Sequence, residues 1–571
     1  MKGKKKLYFT IAIICVILGF IFIFVYKKDS NLKKYEDKIS LMQSYLDLFG
    51  GEEEQIVFIS ICNKKERASV FKGIGITLEE ALNDANEKAK TFIKENKYDA
   101  IWIKIDVVTE RRKIDYASLS KEIYASRHEF YRYGLSFDKH FSFALLETEL
   151  NGAKIYEYEN GGIDLEYLNL YLKKAGRSAE LIAELPEYYV LFKTYGVFCD
   201  ENGEIYKLLN DGYNVGRRNV EVDAEYAKEI IQNSTEFLQK QIYEDGSFVY
   251  GIYPRFDNNI ENYNMVRHAS TIWSLICSYK IEPNEKLKKD IDITINYMLN
   301  HIIYKNEETA YLLDGKEIKL GGNAIAIITL TEYMDVFQTD KYKEICNALG
   351  IGILTMFDKE TGKWFHVLNN DFSEKEEFRT IYYDGEATFA LSKLYGLTEN
   401  PKWLDMAKIS VNNFIEEHYE QYKDHWIAYS LNEITKYVND EIYYEFALRN
   451  VQENLKIIYE RDTTYHTYSE LLMATFEIYD RMKEKNIKVV YEEQFDVSFF
   501  LEVIEYRLNH MLNGYFFPEY AMYMKNPERI SNAFFVRHDG FRVRIDDVQH
   551  NIDGYYQYYK NYNKIQEYKK K

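Results

Sequence analysis

LGGNAIAIITLTEYMDVFQTDKYKEICNALGIGILTMFDKETGKWFHVL, Leu320 to Leu368, and YYDGEATFALSKLYGLTENPKWLDMAKISVNNFIEEHYEQYKDHWIAY, Tyr382 to Tyr429, follow one plan. Each opens on small residues, Gly322-Asn323-Ala324 in the first and Gly385-Glu386-Ala387 in the second. An apolar helical run follows, then a turn before Tyr342 or Trp403, then a second run that is amphipathic at helical spacing. Each closes on a short aromatic piece, Trp364-Phe365-His366 or His425-Trp426-Ile427. The preceding stretch fits as well: VRHASTIWSLICSYK opens a helix at Arg267-His268-Ala269, and IDITINYMLNHII supplies its partner. AEYAKEIIQNSTEFLQKQIYEDGSFVYGI comes before it, while SLNEITKY, YSELLMATFEIYDRM and VQHNIDGYYQYYKNY offer three further helix openings. The expectation is about six helical pairs from residue 216 onward.

Within the second copy, Gly-x-Ala-x-x-Ala-Leu-x-x-Leu-Tyr … Trp-Leu-x-x-Ala, Gly385 to Ala407, resembles the (α/α)6 toroids of six-hairpin glycosidases and of the N-acylglucosamine 2-epimerase group. The resemblance covers roughly residues 216–571. It implies a mainly α fold, a closed ring in which inner helices line a cavity and their N-terminal loops gather around one mouth. Such toroids host hydrolases, epimerases, lyases and non-catalytic relatives, so the resemblance specifies a fold and leaves the reaction open. No single family's catalytic motif is matched residue by residue.

Upstream of the toroid the sequence changes character. MKGKKK precedes LYFTIAIICVILGFIFIFVY, Leu7 to Tyr26, which carries no charge. A helix of that length spans about 30 Å, the thickness of a bilayer's hydrocarbon layer. FIFVYK offers no small-x-small cleavage site, so residues 7–26 are expected to be an uncleaved anchor in the lipid bilayer of the plasma membrane. The lysines at 2, 4, 5 and 6 favour a cytoplasmic tail at residues 1–6 and the bulk outside. Residues 27–54 read as a polar stalk, and residues 55–215 as a small α+β module. IVFISIC, ASVFKGIGI and AIWIKIDVV have strand character, and Thr77 and Glu80 stand in capping-box spacing before a helix. YYVLFKTYGVFCDENGEIYKLL reads as a hairpin turning at Asp200-Glu201-Asn202-Gly203. Gly73 and Gly75 lack the third glycine of a dinucleotide-binding turn.

Bulk properties set limits on function. The net charge of −18 over 571 residues argues against a nucleic-acid partner, which requires clustered Lys and Arg. The five cysteines lie far apart, without zinc or CxxC spacing, so no cofactor or metal is expected from them.

The toroid turns scattered positions into one candidate site. Inner-helix openings would bring together Arg267, His268, Asn323, Tyr383, Asp384, Glu386, Asn432, Glu433, His466 and Glu470, with Arg379 just upstream of one of them. Helix N-termini add free N–H groups and a positive dipole end. Each has a structural alternative: Asp384 as a helix cap, His268 as a core histidine, Arg379 paired with Glu376 or Glu377, Glu433 and Glu470 as solvated charges. The segment FFVRHDGFRVRIDDVQHN, Phe534 to Asn551, adds alternation after Gly540. Phe541, Val543 and Ile545 are expected to pack inward, with Asp546 and Gln549 capping the last helix. Arg542 and Arg544, with Arg537 and His538, would form a basic patch suited to carboxylate, sulfate or phosphate, or else an Arg–Asp lattice closing the ring. His538, Asp546, Asp547 and His550 could instead hold a divalent metal, though no ligand motif is recognised.

These readings lead to an expected membrane-anchored envelope protein acting on an acidic or amino-sugar glycan. Hydrolysis would pair Asp384 or Glu386 with Asp539 or Asp547. Epimerisation or elimination would use His268, a carboxylate or a Tyr as base, with arginines holding the sugar. The alternative is a non-catalytic envelope component that binds a polymer or assembly proteins.

Overall fold

The two runs of each repeat differ in burial for a reason visible in their composition. Leu320–Phe337 is apolar all round, and every residue from Leu320 to Met334 is buried. Its successor Lys343–Leu354 buries one side only. A helix that is apolar on all faces must be surrounded by protein, whereas a one-sided helix can border water. The alternation therefore sorts the helices into an inner and an outer layer.

A computed structural model describes residues 30–46 and 54–570. Its residues cluster into two units, and two short segments of the later sequence, Pro254–Asp257 and Phe516–Ser531, belong to the first. The expected membrane span at residues 7–26, the tail before it and part of the expected stalk lie outside the described residues. Among the described residues no helix is long and apolar enough to cross a membrane.

The first unit is built on a seven-stranded sheet. Its strands are β1 (Gln55–Cys62), β2 (Ser69–Gly75), β3 (Trp102–Asp115), β4 (Gly134–Ser136), β5 (Ala144–Leu145), β6 (Tyr188–Cys199) and β7 (Ile205–Lys207). They run in the order β2-β1-β3-β6-β4-β5, with β7 on β6, and all pairs are antiparallel. The turn between β6 and β7 passes through Gly203 at φ +86°. The helix α2 (Leu78–Asn96) starts at the Thr77/Glu80 capping box. A preceding helix, α1, over residues 30–43, corrects the stalk expectation. Its Tyr35, Ile39 and Met42 are buried in the same core as Val57, Ala85 and Ile103. Tyr35 donates to Asn86 Oδ1 at 2.9 Å, and Lys38 donates to the Ile101 and Asp200 carbonyls at 2.6 and 2.5 Å.

The second unit is a closed toroid. Inner helices are α4 (Met265–Ile281), α6 (Leu320–Phe337), α8 (Tyr382–Thr398), α10 (His425–Ile434), α12 (Thr467–Glu484) and α14 (Ile545–Lys569). Each packs on the next, and α14 returns to α4, closing the ring. Outer helices are α3 (Ala224–Gln239), α5 (Glu285–Leu299), α7 (Lys343–Leu354), α9 (Pro401–Glu416), α11 (Glu441–Gln452) and α13 (Val497–Met511). Six outer-to-inner hairpins in series make an (α/α)6 barrel. The inner helices run the same way, so their N-termini share one rim and their C-termini the other.

Close approach of inner helices depends on small residues. A Cβ on Gly385 of α8 would lie 2.7 Å from the Ile427 amide nitrogen and 2.8 Å from the Trp426 carbonyl carbon of α10. Backbone cannot yield as a side-chain tip does, so Gly385→Ala should cost about 1–3 kcal/mol. A denaturant titration checks this; a midpoint unchanged from wild type would show that the helices have slack.

Candidate functional site

Each inner helix brings a polar first turn to the common rim. The expected lattice is the form taken by the arginines. Phe541, Val543 and Ile545 are buried as the alternation predicts, after a turn in which Gly540 and Phe541 take φ +64° and +61°. The cap of α14 differs from expectation. Arg544 occupies the capping position, and its N–H donates to Asp547 Oδ2 at 3.0 Å, so Asp547, not Asp546 with Gln549, closes the turn. Arg544 also pairs with Asp546 at 3.0 Å and Asp547 at 3.2 Å, and Arg542 with Asp539 and with Asp547 at 3.3 Å. Arg267, from α4, meets Asp546 at 2.7 Å and donates to the Tyr250 hydroxyl. Three arginines thus face three aspartates, which removes the basic patch. Arg537 is buried, its guanidinium 5.7 Å from the Phe535 ring, and His538 is exposed on the turn.

Next to this lattice, deeper in the ring, lies a cluster of protonable side chains from three helices. Glu470 of α12 is fully buried and His425, the first residue of α10, nearly so. His550 Nδ1, from α14, is 2.7 Å from Glu470 Oε2, and His425 Nε2 is 3.9 Å from the same oxygen. Tyr429 donates to Glu470 Oε1 at 3.1 Å. His425 Nδ1 is 3.4 Å from Asp424 Oδ1. Neither ring nitrogen of His425 has a hydrogen-bond partner within the chain. His466 stacks on His550 with centroids 4.8 Å apart. Trp273, Phe389, Trp426 and Tyr429 pack together beside the cluster. His466 and His550 keep partial exposure, so the cluster is reached from the rim. Tyr382, whose ring lies against His425, bonds Tyr465 hydroxyl to hydroxyl at 3.0 Å above it.

Burial dominates the electrostatics here. It pushes Glu470 up to about 8, against the pull of His425 and the Tyr429 hydroxyl. It drives His425 and His466 down to about 3 and His550 to about 4, with Asp546 opposing the last shift. Desolvation disfavours whichever form is charged, so acid and bases alike are held neutral.

A second carboxyl group sits beside this one. Glu386 of α8 is buried, and its Oε2 has no hydrogen-bond partner. Burial, then Asp424 and Asp384, raises its carboxyl well above the ordinary range. Gly321 makes room for it, since a Cβ there would overlap the Glu386 carboxylate and the Tyr383 ring. Asp384 is not the cap of its helix; its oxygens accept from His366 Nε2 at 2.7 Å and the Tyr419 hydroxyl at 3.0 Å. Tyr383 is buried, its phenol raised by burial and then by Glu386.

Several expected residues lie elsewhere. His268 points away from the rim, bonding the Tyr263 hydroxyl at 2.7 Å and the Thr294 carbonyl of outer helix α5 at 3.0 Å; it is a satisfied core histidine. Asn323 clamps the Leu312 backbone, accepting from its N–H at 2.6 Å and donating to its carbonyl at 3.3 Å. Arg379 forks onto Glu317 at 2.7 and 3.1 Å and Glu376 at 2.8 Å. Glu433 sits in the last turn of α10, with Lys436 and Tyr437, at the opposite rim. Asp539 is a half-exposed loop residue and Asp547 a cap, so neither completes a carboxylate pair with Asp384 or Glu386. Among the described residues the side chains that gather with His550 at metal-ligand spacing are His425 and Glu470, not His538, Asp546 and Asp547. Asp424 and His425 are absent from the sequence-based candidates because His425-Trp426-Ile427 reads as the end of a repeat, whereas it begins the next inner helix. The sequence signal for this start is Asp424 as N-cap, whose Oδ1 accepts from the Trp426 N–H at 2.9 Å.

No protein-family model matches the sequence, and no curated protein matches it. Among solved structures, the chain is similar to a D-mannose isomerase at 14% identity, over 59% of this chain and 97% of the other, with a TM-score of 0.45. It is similar to the cellobiose 2-epimerase of Bacillus thermoamylovorans B4167 at 13%, over 59% and 99%, with a TM-score of 0.47. For the unsaturated glucuronyl hydrolase of Bacillus sp. GL1 the values are 10%, 58% and 96%, and 0.42. None lends a residue role to this chain; the toroid assignment rests on its own closed ring.

The outward-facing role of His268 is checkable. His268→Ala leaves the Tyr263 hydroxyl and the Thr294 carbonyl without that partner and opens a cavity, so thermal stability should fall by about 2–4 kcal/mol. A variant as stable as wild type would place the histidine outside the core.

Proposed function

We propose that the toroid catalyses proton transfer on a carbohydrate, as an epimerase or isomerase acting beside a sugar carbonyl. The observation that carries this reading is the convergence of His425, His550 and Glu470, from three inner helices, within 4.8 Å of one another at the rim. Neutral imidazoles accept a proton, and a neutral buried carboxyl can return one, which is the pairing that reversible proton transfer at carbon requires. The arginine–aspartate lattice above the cluster is balanced in charge, which favours an uncharged sugar over the acidic glycan expected from the sequence. The uncharged run at residues 7–26 supports the further proposal that the protein is anchored at the plasma membrane with its bulk outside, where envelope glycans supply the substrate.

Full-length protein incubated with neutral reducing sugars in deuterated water should incorporate deuterium at the carbon next to the anomeric centre, followed by NMR. Glu470→Gln and His550→Asn should each lower that exchange at least 100-fold, on the order of one general acid–base contribution, with folding unchanged by circular dichroism. New reducing ends without exchange would replace this reading with hydrolysis. Tight glycan binding without either product would make the toroid a scaffold.

A further inference from the structure

We infer that His425, Glu470 and His550 form a binding site for one divalent transition ion of the zinc class. The donor set is two imidazoles and one carboxylate, a combination that holds zinc in sites keeping a fourth position free. Nitrogen donors disfavour magnesium and calcium, which select oxygen. A tetrahedron with metal–ligand bonds of about 2.0–2.2 Å has edges of roughly 3.3–3.6 Å. The observed separations, 2.7 Å from His550 Nδ1 to Glu470 Oε2 and 3.9 Å from His425 Nε2 to that oxygen, lie on either side of this edge. All three donor atoms lie within 4.8 Å of one another, so side-chain shifts of up to about an ångström bring the set to that edge.

An independent observation points the same way. His425 is 1% exposed, yet neither of its ring nitrogens makes a hydrogen bond within the chain. A buried imidazole without partners forfeits the full desolvation cost of its polar atoms, unless a ligand engages them. Its Nδ1 faces Asp424 Oδ1 at 3.4 Å, which leaves Nε2 turned toward Glu470. A carboxylate behind a histidine that faces the metal is the outer-sphere arrangement that fixes the ring's orientation. The Tyr429 hydroxyl does the same for Glu470, holding Oε1 at 3.1 Å so that Oε2 remains on the metal side. His466, partly exposed at the rim, stacks on His550 and is not one of the three donors.

The site rests on the same three residues as the proposed acid–base chemistry, and the two states exclude each other. A bound ion takes the lone pair of each imidazole and displaces the proton from Glu470, so the loaded chain cannot carry out proton transfer through these groups. The ion is then a reversible block on the toroid.

The test uses the full-length chain, stripped with a chelator and titrated with zinc against a chromophoric competitor. One ion per chain is expected, with a melting temperature that rises as zinc is added, because binding favours the native state. His425→Ala, His550→Ala and Glu470→Gln should each weaken binding at least tenfold and abolish the rise in melting temperature, and Asp424→Asn should weaken it by about tenfold or more. His466→Ala, which leaves all three donors in place, should retain one ion. Absence of stoichiometric binding, or binding that survives all three donor substitutions, overturns the site; if a variant fails to melt cooperatively, Asp424→Asn and wild type decide the matter. Deuterium exchange into sugar by the stripped chain is read separately. Exchange without zinc binding sinks the metal site alone, and zinc binding without exchange sinks the acid–base reading alone.

Discussion

Everything at the rim follows from one constraint: six inner helices, each with more than half of its residues buried, can cover those residues only against one another and the outer layer. Leu320–Phe337 has no face to offer water, and its neighbours in the inner layer share that property to different degrees. Packed in parallel and wrapped by one-sided outer helices, they close on themselves. Closure then sets the first turns of α4, α8, α10, α12 and α14 around one opening. The polar residues of those turns cannot retreat into solvent. They satisfy each other, as the Arg267–Asp546–Arg544 lattice does, or remain strained in their protonation, as Glu470 and Glu386 do.

Low dielectric at the rim explains why its carboxyls and imidazoles depart in opposite directions from their ordinary behaviour. Glu470 rises and His425, His466 and His550 fall for the same reason, loss of water around the charged form. The opposite rim shows the contrast. There Glu332 lies between Lys280 and Lys393, and despite burial these two cations hold its carboxyl well below the usual range. Charge pairing governs this rim, whereas the N-terminal rim holds both regimes: despite burial, Arg267 and Arg544 keep Asp546 low, and desolvation governs the Glu470 cluster beside it.

The likeness between repeats made the toroid legible, because inner and outer helices differ in composition and small residues mark where inner helices meet. The site was legible in part. Asp384, Glu386, Glu470 and His550 stand in first or second turns that the repeat marks as openings. His425 reads as part of a tail because His425-Trp426-Ile427 resembles Trp364-Phe365-His366. His268 shows the reverse error: it opens an inner helix, but its position in the turn aims it at α5. A helix places successive side chains 100° apart, so sharing an opening does not mean sharing a direction. The arginines of Phe534–Asn551 could be read as a patch or as a lattice, since alternation specifies a face and not what lies across from it.

By itself the sequence determined most of the toroid's helical segments and that a strand-rich module precedes them, because apolar periodicity and capping act over a few residues. Only the tertiary structure decided that His425, Glu470 and His550 meet, that Arg542 and Arg544 are neutralised, and that His268 faces outward. Those outcomes depend on rotations of helices separated by scores of residues, and no local pattern encodes the angle at which a closed ring presents each one.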